Sequence, residues 1–278
     1  MALDRTLIQI RERSFLELLD LALVVLRDRP WALGKTAALG IAPWAALYAG
    51  LAAWPEFPAF LLLALVMLAS PWATAPLTVV LGGLMFGDRP PPKRIASTLL
   101  RALPALMLYQ GLLRAVFVLI PILIPIILSR YAFLNEVILL ERNKVDERAR
   151  QSVDRRCGAL CGDRGSELFG HWLIQVGFGI LFVLAFRWAA SAVVDALVDK
   201  WTWDQSSLDE PGSWMADRFL WFVDLRAWAT QLAIWITVAF FGVARFLSYI
   251  DQRIRLEGWE VELRLRAAGA ALEDANRW

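Results

Sequence analysis

Two long runs without a charged side chain constrain this chain more than any other feature of its sequence. No Asp, Glu, Lys or Arg occurs between Lys35 and Glu56, or between Glu56 and Asp88. A helix of about 20 apolar residues crosses the hydrocarbon core of a bilayer, which is roughly 30 Å thick. The runs therefore predict two membrane-spanning helices. They exclude an ordinary soluble domain, as does a composition in which 58% of the 278 residues are hydrophobic.

Further apolar segments continue this pattern along the chain. Pro121 and Pro125 interrupt a run that is too long for one crossing, and we expect a tight turn there between two spans. The predicted spans cover residues 31–54, 57–86, 96–119, 122–141, 168–190 and 228–250. The sequence thus predicts an all-α fold, a polytopic membrane helical bundle of about six transmembrane helices. Residues 1–250 form its single domain, and residues 251–278 form a cytoplasmic helical tail.

The basic residues set the predicted orientation of this bundle. Arg and Lys are concentrated in residues 1–30, 88–95, 142–167 and 251–278, whereas the turns at 55–56 and 121–125 have none. Cytoplasmic loops carry the excess of basic residues in membrane proteins. We therefore expect a multi-pass protein of a bacterial inner membrane with both termini in the cytoplasm. Charge and leucine alternate at the N-terminus, so we expect no cleavable signal peptide.

Residues 1–30 predict an amphipathic helix. Apolar side chains recur there at helical spacing, and most charged side chains lie on the other side. The apolar positions are Leu3, Leu7, Ile10, Leu18, Ala22 and Val25. Two placements stay open: the helix lies in the membrane interface, or it packs on the cytoplasmic end of the bundle.

The first predicted span carries a stripe of small residues spaced four apart. The stripe consists of Gly34, Ala38, Ala42, Ala46 and Gly50. Small side chains let two helix backbones approach closely in lipid, where the hydrophobic effect contributes little between helices. We interpret the stripe as a helix-packing surface. Its partner is either another helix of this chain or a second copy of the chain.

Four polar side chains lie at predicted membrane depth and are the candidate site. They are Arg114, Arg130, Asn135 and Glu136. Charge in hydrocarbon is costly, and such side chains usually face a partner or a wet cavity. One interpretation is a cavity that binds an anionic lipid headgroup or a solute. The other is a buried ion pair that fixes the order of the helices.

The sequence gives no sign of catalytic chemistry. It has no HExxH, GxSxG, Walker A or GxGxxG motif. The lone histidine, His171, and the two cysteines, Cys157 and Cys161, are too few ligands to predict a metal site. We expect no catalytic residue, no metal and no cofactor. A net charge of +2 does not argue for nucleic acid.

The segments RYAFLNEVILLERNKV and ARQSVDRRCGALCGDRGSELFGHW carry a resemblance to a known family. They resemble the membrane domain associated with some glycerophosphodiester phosphodiesterases, and related six-helix bacterial inner-membrane proteins. In these proteins a V-x-x-E stretch ends a span and an RS-x-x-L-x-x-G segment enters the next helix. Here Val137 and Glu141 are one residue further apart, and Gln151-Ser152 replaces Arg-Ser. The likeness covers about residues 90–250 and implies six helices without phosphodiesterase activity, which belongs to a separate barrel domain.

These observations predict an integral membrane protein that acts as a non-catalytic scaffold or accessory subunit. The expected partners are the lipid bilayer, anionic lipid headgroups, and a protein that contacts the cytoplasmic loop 142–167 and the tail, since clustered basic residues are attracted to anionic surfaces. The alternative is a carrier of lipid or small solutes that uses the polar residues of the third and fourth spans.

Overall fold

Helices are the regular structure of the part of this protein that the structure describes. The structure, a computed structural model, describes residues 14–85, 90–111, 130–141, 148–198 and 225–257, and these ranges contain no strand. The helices are α1 (Phe15–Asp28), α2 (Pro30–Ala52), α3 (Ala59–Met85), α4 (Pro92–Leu106), α5 (Leu134–Glu136), α6 (Arg148–Cys161), α7 (Gly165–Val198) and α8 (Trp228–Glu257). The π-helical turns Met107–Gly111 and Val137–Glu141 extend α4 and α5, and a 3-10 turn, Gly162–Arg164, joins α6 to α7. The predicted all-α class is confirmed.

In the described part of the chain, three helices are long and apolar enough to cross a membrane. They are the segments Ala59–Met85, Gly165–Ala190 and Trp228–Leu256 of α3, α7 and α8. These helices match the predicted second, fifth and sixth spans. The predicted first span is also helical, because it coincides with the 23 residues of α2. Residues 112–119 of the predicted third span lie outside the described residues, and a total of six crossings stays a prediction.

The predicted fourth span, residues 122–141, is described only from residue 130. Over these residues the chain is a bend and turn at 131–133, three residues of α-helix and a π-helical turn. It is therefore an interrupted segment and not one regular helix. Its side chains from Phe133 to Leu139 are buried, and the segment packs against α3, α4 and α6. The Glu136 side chain also reaches α8.

Helix α1 begins with a sequence pattern that favours helix initiation. The Ser14 hydroxyl accepts a hydrogen bond from the Glu17 N–H at 3.4 Å, the arrangement expected of Ser-x-x-Glu. One face of α1 is buried against the bundle, and Leu16 and Leu23 on the other face are more than half exposed. The position of α1 relative to a membrane stays a prediction, and residues 1–13 lie outside the described residues.

Helices α2 and α3 form a hairpin whose connecting turn is fixed to the start of α8. The Tyr48 hydroxyl donates to the Leu225 carbonyl at 2.8 Å, and the Arg226 guanidinium donates to the carbonyls of Pro55 and Phe57 at 2.8 and 2.7 Å. These bonds satisfy backbone oxygens in the turn. They also hold the turn between α2 and α3 beside the N-terminus of α8.

Gly40 allows the close contact between α2 and α3. A Cβ atom at this position would overlap the Ala73 carbonyl oxygen and lie 3.1 Å from the Pro76 ring. Pro76 cannot donate a backbone hydrogen bond, and a proline ring distorts the preceding turn of a helix. Gly40 therefore accommodates the distorted backbone of α3 against α2.

The variant Gly40→Ala is expected to destabilise the fold. Its methyl group must displace a backbone carbonyl, and overpacking of this kind costs about 1–3 kcal/mol. The measurement is the free energy of unfolding in mixed micelles. Gly34→Ala is the matched control, because no described heavy atom lies within 4 Å of its added Cβ. Equal stability of the two variants would contradict the α2–α3 contact.

Candidate functional site

The structure places the small-residue stripe of α2 on the outer surface of the described bundle. All five stripe residues are exposed, and a Cβ at Gly34 or Gly50 would meet no described heavy atom within 4 Å. The close approach to α3 uses Gly40, which is not part of the stripe. The role of the stripe in packing stays a prediction.

Glu136, on α5, forms an ion pair in the core of the protein. Its side chain is fully buried, and its Oε1 accepts a hydrogen bond from the Arg245 Nε of α8 at 2.8 Å. The Arg245 guanidinium also donates to the Thr74 hydroxyl of α3 at 3.0 Å. Burying a charge is costly unless it is paired and hydrogen bonded. The pair thus joins three separate elements at one buried point.

Asn135 adds a second link between α5 and α3. Its side-chain N–H donates to the Pro71 carbonyl at 2.9 Å, and the residue is 1% exposed. Pro71 lacks an N–H, so the Met67 carbonyl loses its helical donor, and the Ser70 hydroxyl lies 3.2 Å from that oxygen as a replacement. Side chains therefore supply hydrogen bonds along the proline-containing part of α3.

Two acceptor atoms in this buried region have no hydrogen-bond donor among the residues that the structure describes. They are Oδ1 of Asn135 and Oε2 of Glu136. Both atoms are inaccessible to solvent in the described structure. Buried unpaired acceptors are uncommon in folded proteins, and each one invites an explanation such as an ordered water or a bound ligand.

A second charged cluster lies at the end of the π-helical turn that follows α5. The Glu141 carboxylate accepts hydrogen bonds from the Arg156 Nε of α6 and the Tyr249 hydroxyl of α8, both at 2.6 Å. The Arg253 Nε lies 3.8 Å from the same carboxylate. Glu141 therefore ties α6 to α8.

Arg130 contacts α6, and it does not contact Glu136. Its guanidinium lies 3.0 Å from the Asp154 carboxylate, which also accepts a 2.6 Å hydrogen bond from the Tyr131 hydroxyl. The Tyr131 hydroxyl, followed by Arg130, holds the pKa of Asp154 below its ordinary value. The carboxylate therefore stays ionised at neutral pH and keeps its contacts to Arg130 and Tyr131.

The remaining contacts of α6 bury one face of this polar helix. Cys157 and Cys161 are buried, and the Gln252 side chain of α8 donates to the Leu160 carbonyl at 3.0 Å. Burial, followed by the neighbouring Cys161, raises the pKa of the Cys157 thiol to about 12. The thiols are thus protonated at neutral pH.

The described residues contain no group of three or more His, Cys, Asp or Glu side chains arranged as a metal site.

His171, a residue of α7, packs against α1. Its ring stacks on Phe15 with centroids 4.4 Å apart, and its Nε2 is 3.8 Å from the Glu167 carboxylate.

Arg114, the remaining member of the predicted polar cluster, lies outside the described residues. Among the predicted polar residues, the structure brings Asn135 and Glu136 together against α3 and α8. It places Arg130 apart from them, paired with Asp154 of α6.

Sequence reasoning missed Arg245, the partner of Glu136. The signal was available, because Arg245 is the one basic residue inside the run TQLAIWITVAFFGVARFLSYI of the predicted sixth span. It lies about five residues from the predicted cytoplasmic end, within the reach of a snorkelling side chain, and therefore carries little information alone. Only the tertiary arrangement shows that it turns inward.

No family model matches the chain, and neither the curated proteins nor the solved structures give a similar protein. The resemblance to the membrane domain of glycerophosphodiester phosphodiesterases therefore stays a prediction. The contacts among the described residues carry the functional argument.

We expect Arg245→Leu and Glu136→Leu together to destabilise the fold by less than the sum of their separate effects. Removing one partner leaves the other charge buried and unpaired, which costs about 3–5 kcal/mol. The double variant removes both charges, so its loss of unfolding free energy should be smaller than the sum of the single losses. Unfolding in mixed micelles measures all three, and Arg155→Leu, at an exposed arginine of α6, is the control. Additive losses would contradict a direct ion pair.

Proposed function

We propose that this chain is a multi-pass protein of a bacterial inner membrane that acts as a non-catalytic scaffold or accessory subunit. In this account the termini are cytoplasmic and α6 forms part of the cytoplasmic loop 142–167. One observation carries the proposal: the buried polar side chains bond mainly to one another and to backbone. Glu136 with Arg245, and Asn135 with the Pro71 carbonyl, link helices, as expected of groups that fix helix order.

The attachment of α6 supports a docking role at the cytoplasmic side. Asp154, Arg156 and Leu160 are bonded to residues 130–141 and α8, so one face of α6 is held in place. Arg155 and Ala159 lie on the exposed face. A polar helix held on a membrane bundle is a preformed surface, and preformed surfaces lose less conformational freedom when a partner binds.

Cysteine labelling tests the proposed topology. Glu56→Cys, in the exposed turn between α2 and α3, is expected to react with a membrane-impermeant maleimide in spheroplasts, and Ala159→Cys is expected to react only in inverted vesicles. The native Cys157 and Cys161 should react slowly, because they are buried and protonated. The parent protein, which contains both native cysteines and no engineered one, is the control for their reactivity. Labelling of both engineered cysteines from one side would overturn the proposed topology.

Photo-cross-linking tests the scaffold role. A cross-linking amino acid at Ala159 should give a discrete protein adduct in membranes, and Asp154→Asn should reduce the adduct because it removes the charge that binds Arg130. The matched position is Phe178, which is 49% exposed on α7 and is expected to face acyl chains. Equal protein adducts at both positions, or an adduct indifferent to Asp154→Asn, would contradict a docking surface on α6.

A carrier is the second candidate. The observation that favours it is that Oδ1 of Asn135 and Oε2 of Glu136 have no hydrogen-bond donor within the described ranges. A solute path must admit water to these atoms. A carrier therefore predicts that Asn135→Cys reacts with a small charged methanethiosulfonate reagent in native membranes. If the chain is a scaffold, we expect this cysteine to stay unreactive while Ala159→Cys reacts.

A further inference from the structure

Four tryptophans in the described part of the chain have strongly exposed side chains. Trp31 and Trp54 flank α2, Trp188 lies in the second half of α7, and Trp228 begins α8; their exposed fractions are 80%, 57%, 65% and 63%. Trp235, in the body of α8, is buried. Tryptophan is enriched where a membrane protein meets the bilayer interface, because its ring is apolar and its N–H can reach water.

Trp54 and Trp228 lie at the same end of the bundle, beside the turn between α2 and α3. The Arg226 guanidinium, two residues before Trp228, donates to the Pro55 carbonyl, one residue after Trp54, at 2.8 Å. The Trp54 ring also packs on the Phe57 ring, with centroids 6.5 Å apart. The turn and the start of α8 thus present two exposed indole rings side by side.

The register of α7 against α8 places Trp188 at the same level. The start of α7 lies beside the end of α8, so the two helices run antiparallel. A Cβ atom at Gly179 would contact Thr237 and Phe241 at 3.3 and 3.4 Å, so Gly179 is level with about residue 239 of α8. Trp188, nine residues further along α7, is therefore level with about residue 230. The first belt consists of Trp54, Trp188 and Trp228.

Two further tryptophans share a level at the opposite end. By the same register Trp172, which is partly exposed, is level with about Phe246 of α8. Arg29, two residues before Trp31, lines a small apolar gap together with Phe246 and Leu247. Trp31 therefore lies within about one helical turn of Trp172 in level. The second belt consists of Trp31 and Trp172.

The separation of the belts matches the thickness of a bilayer. Trp228 and Phe246 are 18 residues apart on α8, or about 27 Å at 1.5 Å per residue, and the hydrocarbon core is roughly 30 Å thick. The surface between the belts is apolar. Among the exposed residues within 31–54, 172–188 and 228–246, only Lys35 is charged, and it lies about one turn from Trp31, within reach of the interface.

We propose that the two belts mark the two boundaries of a lipid bilayer, and that the Glu136–Arg245 pair lies at one boundary and not at mid-depth. Arg245 precedes Phe246 and is thus level with the second belt. A charged group near the interface is less costly than one at the centre of the bilayer. The inference rests on the proposed function, because it requires the chain to cross a membrane.

The contacts of α6 agree with this boundary. The Glu141 carboxylate, which binds α6 through Arg156, accepts a hydrogen bond from the Tyr249 hydroxyl, and the Leu160 carbonyl accepts one from Gln252. Both α8 residues lie beyond Phe246, on the side away from the first belt. The polar helix α6 is therefore attached outside the hydrocarbon core.

Spin labelling of the full chain in vesicles of phosphatidylethanolamine and phosphatidylglycerol tests the proposal. The matched variants are Leu181→Cys, which is 64% exposed between the belts, and Leu173→Cys, which is 51% exposed beside Trp172. Electron paramagnetic resonance with oxygen and a nickel chelate as relaxants measures the depth of each nitroxide. The label at 181 should lie about 12 Å deeper than the label at 173, because eight helical residues separate them.

A second helix provides an independent comparison. Ile236→Cys, 41% exposed on α8, should carry a label about 12 Å deeper than that of Trp228→Cys, which lies in the first belt. Phe178→Cys replaces Leu181→Cys if that variant does not fold. The parent protein measures background labelling of the native cysteines. Equal depths at 181 and 173, or a deeper label at 173, would overturn the assigned boundaries.

The two proposals fail in different ways. Labels at 173 and 181 that are both as accessible to the nickel chelate as a label in water contradict the proposed membrane protein itself. Labels that both lie in the bilayer, but are deepest at 173, contradict the positions of the boundaries alone.

Discussion

A carboxylate in an apolar interior needs a partner, and the described core is organised around this need. Glu136 is fully buried, and Arg245 reaches it from α8 while bonding also to Thr74 of α3. Charge attraction is strong where the effective dielectric constant is low, and so is the penalty for an unpaired charge. The pair therefore favours one packing arrangement of α3, α5 and α8 over other arrangements that would bury a similar apolar surface area.

The interruptions of the backbone fit the same arrangement. Pro71 and Pro76 distort α3, and the distorted turn meets Gly40 on one side and Asn135 on the other. A regular helix satisfies its own backbone groups, whereas an interrupted one depends on its neighbours for hydrogen bonds. The prolines of α3 and the polar residues of α5 are thus two parts of one contact. Two further polar clusters, at Glu141 and at Asp154, attach α6 to this core.

Much of the fold could be predicted from the sequence, because long uncharged runs and basic loops have simple physical meanings in a bilayer. The helical class and the helices α2, α3, α7 and α8 follow from these patterns. The residues Asn135 and Glu136 could be singled out because their polarity conflicts with their apolar surroundings. Their partners could not, since Arg245 and Thr74 lie 109 and 62 positions from Glu136 in the sequence. The Arg130 contact to Asp154 also requires the turn at 131–133, which no local sequence pattern predicts.

Hydrogen exchange of the protein in lipid nanodiscs, read by mass spectrometry, tests the central role of the Glu136–Arg245 pair most directly. The account predicts that residues 134–141 exchange as slowly as the middle of α8, although they form only a short helix and a π-helical turn. It predicts that Arg245→Ala accelerates exchange in residues 134–141 and 71–78 and leaves residues 44–52 of α2 unchanged. Fast exchange of residues 134–141 in the parent, or no local response to Arg245→Ala, would contradict it.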